Sequence, residues 1–185
     1  MTNKIFALSL IIALLPIILF LSIIIKLESK GKIIFWSKRV GYKNKLFCMP
    51  KFRSMYETTP SRSSKLLNKP EIHITRVGRY MRKLSLDEIP QLYSILIGDM
   101  AFVGPRPLLD IKDEKELLDC RLKYGITELI PGITGWAQIN GRDNINIESK
   151  IELDCYYLKN KSFLFDCYII LVTIIRVFSG KNITH

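Results

Sequence analysis

From Ile5 to Ile25 the chain runs without a charged residue, IFALSLIIALLPIILFLSIII, and sets a proline at the centre of the run. As one helix this length would be about 30 Å, enough to cross a bilayer. Pro16 restricts that outcome, because proline in a helix interior deletes a hydrogen bond and collides with the preceding turn. Two halves of about 11 residues would each reach only about 16 Å, little more than one leaflet. Lys4 precedes the run and Lys26, Lys30 and Lys32 follow it, so both ends resemble cytoplasmic flanks. The pattern predicts a bent hairpin that enters and leaves by one face, with a Pro-kinked span as the alternative. A cleaved signal peptide is disfavoured, since the run is long and no A-x-A site follows it.

Charge is distributed to match. Residues 26–83 hold 16 Lys/Arg against 3 Asp/Glu, a net of +13, whereas residues 84–185 hold 11 against 14, a net of −3. A basic stretch directly after an apolar segment is attracted to anionic lipid headgroups, by roughly 1 kcal/mol per charge near the surface. Nucleic acid is excluded as a partner by the lack of zinc spacing, an RNP-like aromatic signature or a recognition helix. Cys48, Cys120, Cys155 and Cys167 form no C-x-x-C, and His73 and His185 add no metal-ligand spacing, which argues against structural zinc and for reduced thiols.

Chemistry concentrates in Met81 to Leu109, MRKLSLDEIPQLYSILIGDMAFVGPRPLL. Pro90 is tolerated in a first helical turn but not deeper, so a helix is expected to begin near Asp87. Its unpaired amides and positive dipole end would then lie beside Asp87 and Glu88, where phosphate can also bind. Ser85-Leu86-Asp87-Glu88 also fits the S-x-x-E capping box, in which Glu88 only closes a helix end. Gly104-Pro105-Arg106-Pro107 reads either as a stiff turn or as an arginine held ready for phosphate by two flanking prolines.

The remaining segments frame this centre. Lys32 to Phe52 reads as two extended pieces, IIFW and KLFCM, turning near Gly41, and Glu57 to Pro70 as a loop. Ile74, Val77, Met81 and Leu84 recur at helical spacing with Thr75 as N-cap, which places Arg82 about one turn before Asp87. Asp110 to Tyr124 has the alternation of a surface helix ending at Gly125. Pro131 to Arg142, PGITGWAQINGR, is rich in glycine and reads as an ordered loop, with Trp136 a packing residue and Arg142 either a phosphate contact or a surface residue. Ser162 to Phe178 is a core helix or one lying in the membrane interface.

These segments together resemble the bacterial sugar transferases, the monotopic polyprenyl-phosphate phosphoglycosyl transferases. The resemblance is carried by the Pro-broken entry, KFRSM at Lys51, TRVGRYMRKLSLDEIPQL at Thr75, GDMAFVGPRPLL at Gly98, PGITGWAQINGR at Pro131 and ELDCYYLKN at Glu152. Their order and spacing match along almost the whole chain, at the size of the minimal catalytic form. Departures are Ser37 where glutamine is common in F-x-Q-x-R-x-G, Ile130 where arginine often precedes Pro-Gly-Ile-Thr-Gly, and Leu15 where serine often precedes the proline.

The resemblance implies a definite protein. The fold would be α/β, mostly α with a small sheet: a compact cytoplasmic domain on an N-terminal Pro-broken re-entrant membrane helix, with amphipathic interfacial helices. Residues 1–27 would anchor and residues 28–185 catalyse. The reaction would move a sugar 1-phosphate from a UDP-sugar to polyprenyl (undecaprenyl) phosphate, releasing UMP, at the cytoplasmic face of the bacterial inner membrane. Asp87 would be the nucleophile, forming a covalent aspartyl intermediate, and would bind Mg2+. Glu88 would be its acidic neighbour, and Lys51, Arg82, Arg106 and Arg142 would meet phosphates. UDP-sugar, polyprenyl phosphate and membrane lipid are the implied partners, no nucleic acid is, and a homodimer is left open. A catalytically idle lipid-phosphate binder and a hydrolase of the nucleotide sugar are the competing readings. The intact Asp87-Glu88 pair argues against the idle binder.

Overall fold

A computed structural model describes residues 2–59, 70–110, 112–141 and 146–179. The apolar run forms helix α1, Thr2–Glu28, about 40 Å long at 1.5 Å per residue. Pro16 lies inside this one helix, not between two separate ones. The helix is long and apolar enough to cross a membrane. Its inner stripe, however, packs on the rest of the protein along most of its length. Ala7, Leu10, Ile11 and Leu14 meet Met49, Leu92, Ile95 and Met100. Beyond the proline, Ile18, Leu21 and Ile25 meet Phe52 and Met81. Steps of three and four residues keep these side chains on one helical face. The outer face leaves Ile5, Phe6, Ile12, Leu19, Phe20, Ile23 and Leu27 exposed.

The two extended pieces form β1, Ile34–Val40, and β2, Leu46–Phe52, paired antiparallel from Ile34–Phe52 to Val40–Leu46. A 3₁₀ turn at Tyr42–Asn44 joins them. Pro50 stands in β2, which is an edge strand, the one sheet position where a missing N–H is harmless. Helix α2, Arg76–Lys83, is capped by Thr75, whose side chain accepts a hydrogen bond from the Gly78 N–H, as expected. Its apolar face buries Met81, while Leu84 beyond its end is exposed. After it come α3, Gln91–Ile97, β3, Ala101–Val103, and β4, Leu108–Leu109, which pairs with β1.

Helix α4, Lys115–Lys123, stops at Gly125, which takes φ +71°, a conformation glycine reaches without strain. The stretch expected to be an ordered loop is regular instead: Gly132–Thr134 is strand β5, parallel to β3, and Trp136–Asn140 is the short helix α5. Its glycines serve close approach. A Cβ on Gly132 would come within 2.1 Å of the Gly104 nitrogen, and one on Gly135 within 2.1 Å of the Gly104 oxygen. Trp136 packs as anticipated, stacking on Tyr156 and meeting Phe165.

Helices α6, Ile147–Asn160, and α7, Phe163–Ser179, close the fold. Helix α7 takes the core setting on one face and leaves apolar side chains exposed on the other. Ile169 is wholly buried, in a cluster with Val103, Leu129, Ile139 and Tyr157, while Phe163, Leu164, Tyr168, Leu171, Ile174 and Ile175 are exposed. The described residues are thus mostly helical with a small sheet.

Candidate active site

The start of α3 corrects the sequence reading. Asp87 and Glu88 do not lie in its first turn. They sit in a separate 3₁₀ turn, Leu86–Glu88, and α3 begins only at Gln91. Pro90 has no N–H to continue the ladder backward, so the Ile89 N–H closes on Leu86 O in a three-residue step. No helix dipole is therefore aimed at the two carboxylates. The capping box is also absent. Ser85 makes no side-chain cap and takes a left-handed backbone, φ 54°, while Glu88 turns to Lys51. The residue types were legible, but the turn that presents them was not.

The two neighbouring acids lie in different surroundings. Asp87 is buried, 4% exposed, beside Arg82. Burial pushes the Arg82 guanidinium pKa down and the Asp87 carboxylate pulls it back up. Arg82 is further oriented by its Nε–H, which donates to Ser54 Oγ at 2.8 Å. Glu88 Oε1 accepts from Lys51 Nζ at 2.6 Å, with both side chains mostly buried. A pair so enclosed is screened less than a surface pair.

Strand periodicity explains how Lys51 arrives there. Residues 49 and 51 of β2 share a face with Ser37 and Arg39 of β1, because directly opposed residues point the same way. The next step along KFRSM faces α1. Arg53 Nη2 donates to Ile25 O and Ser29 O, and its Nη1 donates to Lys30 O at 2.6 Å. A five-residue segment thus holds the end of α1 with Arg53, the 3₁₀ turn with Lys51 and α2 with Ser54.

Arg106 enters from the link between the two sheets. Gly104 N–H donates to Thr134 O and Gly132 N–H to Pro105 O, so the Gly-Pro-Arg-Pro turn is anchored on β5 before it enters β4. The result is a small crevice lined by Arg39, Lys51, Glu88, Gln91, Arg106 and Pro107 among others, which gathers three cationic side chains and one carboxylate. Of the sequence-derived set, Lys51, Glu88 and Arg106 share this crevice, with Asp87 and Arg82 adjoining through the 3₁₀ turn. Arg142 lies outside the described residues.

Arg39 and Gln91 were missed. Only the cross-strand register and the offset of α3 bring them to Lys51 and Glu88, though Arg39 does stand in the F-x-x-x-R-x-G segment. Among the described residues no group of three or more His, Cys, Asp or Glu side chains could form a metal cage. Asp87 and Glu88 are the carboxylates at the site that could ligate a magnesium ion, which takes one or two and completes its shell with water and substrate phosphates.

Comparison with known proteins gives a consistent result. The family model described as bacterial sugar transferase matches residues 1–180. An uncharacterized sugar transferase, EpsL, of Bacillus subtilis (strain 168) is 40% identical over 171 residues, covering 90% of this chain and 80% of that protein. UDP-N-acetylgalactosamine-undecaprenyl-phosphate N-acetylgalactosaminephosphotransferase of Aeromonas hydrophila is 36% identical over 89% of this chain and 40% of its own length. Undecaprenyl-phosphate glucose phosphotransferase of Komagataeibacter xylinus is 36% identical over 94% of this chain and 34% of its own. The chain therefore spans less than half the length of the last two.

Proposed function

The chain belongs to the bacterial sugar transferase family, and from that premise we propose that it transfers a sugar 1-phosphate from a UDP-sugar to polyprenyl phosphate. One observation carries the reading: a buried aspartate beside an arginine, one residue from a glutamate that a lysine holds in a crevice also lined by Arg39 and Arg106.

In the first step an Asp87 carboxylate oxygen attacks the phosphorus that bears the sugar. An Oδ–P bond forms, the bridging P–O bond of the diphosphate breaks, and UMP leaves with the bridging oxygen. In the second step an oxygen of polyprenyl phosphate attacks the same phosphorus, which frees Asp87 and yields the polyprenyl diphosphate sugar. A carboxylate nucleophile divides one difficult transfer into two easier ones. Lys51, Arg82 and Arg106 offset phosphate charge, and Arg142 is assigned the same task by its place in the family motif. Phosphoryl transfer depends chiefly on such positioning and charge stabilisation. Magnesium, held by Asp87 and the substrate phosphates, supplies further neutralisation when bound.

Placement at the membrane is supported by the long apolar helix α1. Lys4 Nζ reaches Ile97 O at 3.4 Å near one end of the helix, and Arg53 grips the carbonyls at the other. Both ends are tied to one globular body, which supports an anchor, residues 1–27, entering the inner membrane from the cytoplasmic face. The catalytic body, residues 28–185, then meets the lipid phosphate at the interface. The exposed lysines 30, 32 and 38 beside this anchor suit anionic headgroups.

Incubation with a panel of UDP-sugars, with and without undecaprenyl phosphate, tests the reading. UMP release beyond one equivalent per enzyme is expected only with the acceptor, while UDP-sugar alone should release a single equivalent and leave a sugar-phosphate adduct, seen by intact mass, that Asp87→Asn abolishes. Near wild-type turnover by Asp87→Asn would refute the assignment, and continued multiple-turnover release without the acceptor would mark a hydrolase.

A further inference from the structure

Arg106 is the residue of the crevice carried on the most irregular backbone, yet two guanidiniums from distant segments bind the carbonyls on either side of its following peptide. Arg121 Nη1 on α4 donates to Arg106 O at 2.7 Å. Arg39 Nη1 on β1 donates to Pro107 O at 3.2 Å. Each guanidinium is itself held. Arg121 is buried and forks onto Asp154 Oδ2 through Nε and Nη2, at 3.1 and 2.7 Å. Arg39 Nε donates to Ser37 Oγ at 3.1 Å. Neither carbonyl is served by a backbone N–H of the described strands and turns.

We propose that Arg39 and Arg121 are positioning residues that fix the reach and direction of Arg106 by gripping the two consecutive carbonyls of its turn. The physical case is that prolines on both sides set the backbone of this turn but remove two of its N–H donors, so few backbone bonds hold it. A carbonyl that receives a charge-assisted hydrogen bond is held more firmly than one bonded to water. A fork needs such firmness, since displacement by about 1 Å costs a large part of a bidentate contact's catalytic benefit. The second guanidinium also explains the burial of Arg121 and Asp154 outside any contact with the crevice's acids. A buried ion pair is a weak source of stability by itself, but here it aims a third hydrogen bond at the turn. The role of Asp154 is to hold Arg121 in that pose.

The proposal rests on Arg106 meeting substrate phosphate, and the test separates the two. Arg39→Met, and Arg121→Met combined with Asp154→Leu, are made in the wild-type and in an Arg106→Gln background. The double substitution removes both buried charges together, so no unpaired ion is left to unfold the protein. In the wild-type background each should raise the UDP-sugar KM about tenfold or more, leave the KM for polyprenyl phosphate within about twofold, and keep the unfolding temperature within a few degrees. In the Arg106→Gln background each should add less than about twofold, because the group they aim is gone. Equal factors in both backgrounds would overturn the positioning role and mark direct contact or a general structural effect. Arg39→Met decides the matter alone should the Arg121 pair variant not fold. An Arg106→Gln enzyme with wild-type donor KM would instead remove the phosphate reading, and this proposal with it.

Discussion

Asp87 and Glu88 are chemically near-identical neighbours whose surroundings give them different tasks. Asp87 is buried beside Arg82 and is the carboxylate to which the proposed reaction assigns the attack on phosphorus. Glu88 is committed to Lys51 at 2.6 Å, so its charge organises the cation that faces the crevice. Glu88→Gln keeps an oxygen for Lys51 but loses the charge assistance, worth roughly 1 kcal/mol or more in a mostly enclosed pair. Turnover is therefore expected to fall by about tenfold, with the sugar-phosphate adduct on Asp87 still forming. Intact-mass analysis of Glu88→Gln and Asp87→Asn side by side checks this. An adduct lost from the Gln variant and kept by the Asn variant would reverse the two roles. At this scale the sequence was informative about residue type and silent about orientation, because a capping box and a 3₁₀ turn use the same four residues.

Elements hold one another through a few buried polar contacts. The Tyr157 hydroxyl of α6 donates to Asp166 Oδ1 of α7 at 2.7 Å and lies 3.3 Å from Val103 O of β3. Tyr157 therefore joins the two closing helices to the strand that leads into the Gly-Pro-Arg-Pro turn. Burial first, and the acceptor Asp166 second, push its phenol well above the usual value of 10. The folded state thus keeps the proton while the unfolded chain releases it. Stability from this group is complete below about pH 10 and declines as the pH rises beyond it. Tyr157→Phe should cost roughly 1.5–3 kcal/mol near neutrality through the lost charged hydrogen bond, yet show a shallower decline between about pH 10 and 11. Thermal unfolding of both proteins in detergent across pH 7–11 measures the difference. Parallel curves above pH 10 would show that the hydroxyl carries no such linkage. The elements that misled sequence reading share one cause: β5 and the delayed α3 depend on close backbone approach and on a missing N–H, which apolar periodicity does not register.

For the whole molecule, the decisive arrangement is a long apolar helix bound along one stripe to the rest of the protein. Each well-buried aliphatic side chain on that stripe contributes roughly 1.5–3 kcal/mol, so the helix and the body move together. The outer apolar faces of α1 and α7 stay exposed. In a background with Cys48, Cys120, Cys155 and Cys167 replaced, Asn3→Cys and Lys30→Cys should both be labelled only from the cytoplasmic side of sealed vesicles. Opposite sidedness would establish a crossing helix and defeat the one-face anchor. Pro16→Leu returns the backbone hydrogen bond that the proline deletes from α1 and removes the ring's collision with the preceding turn, which stiffens a helix long enough to cross. It is expected to shift labelling toward a crossing and to lower activity, because the site would be pulled away from the lipid phosphate.

The order of residues alone determined the long apolar segment, its basic border, the helices with clear apolar faces, and the acids and cations of the family motifs. Each of these is written in local spacing, charge or motif. Only the tertiary structure decided that Arg39 shares a crevice with Lys51, that Arg121 lies buried on Asp154 with a hydrogen bond to Arg106 O, and that Arg53 holds the C-terminal end of α1. The reason is physical: the pairs Arg39–Pro107, Arg121–Asp154 and Arg53–Ile25 bring together segments far apart in the chain. A buried guanidinium is tolerated only where such distant acceptors converge on it.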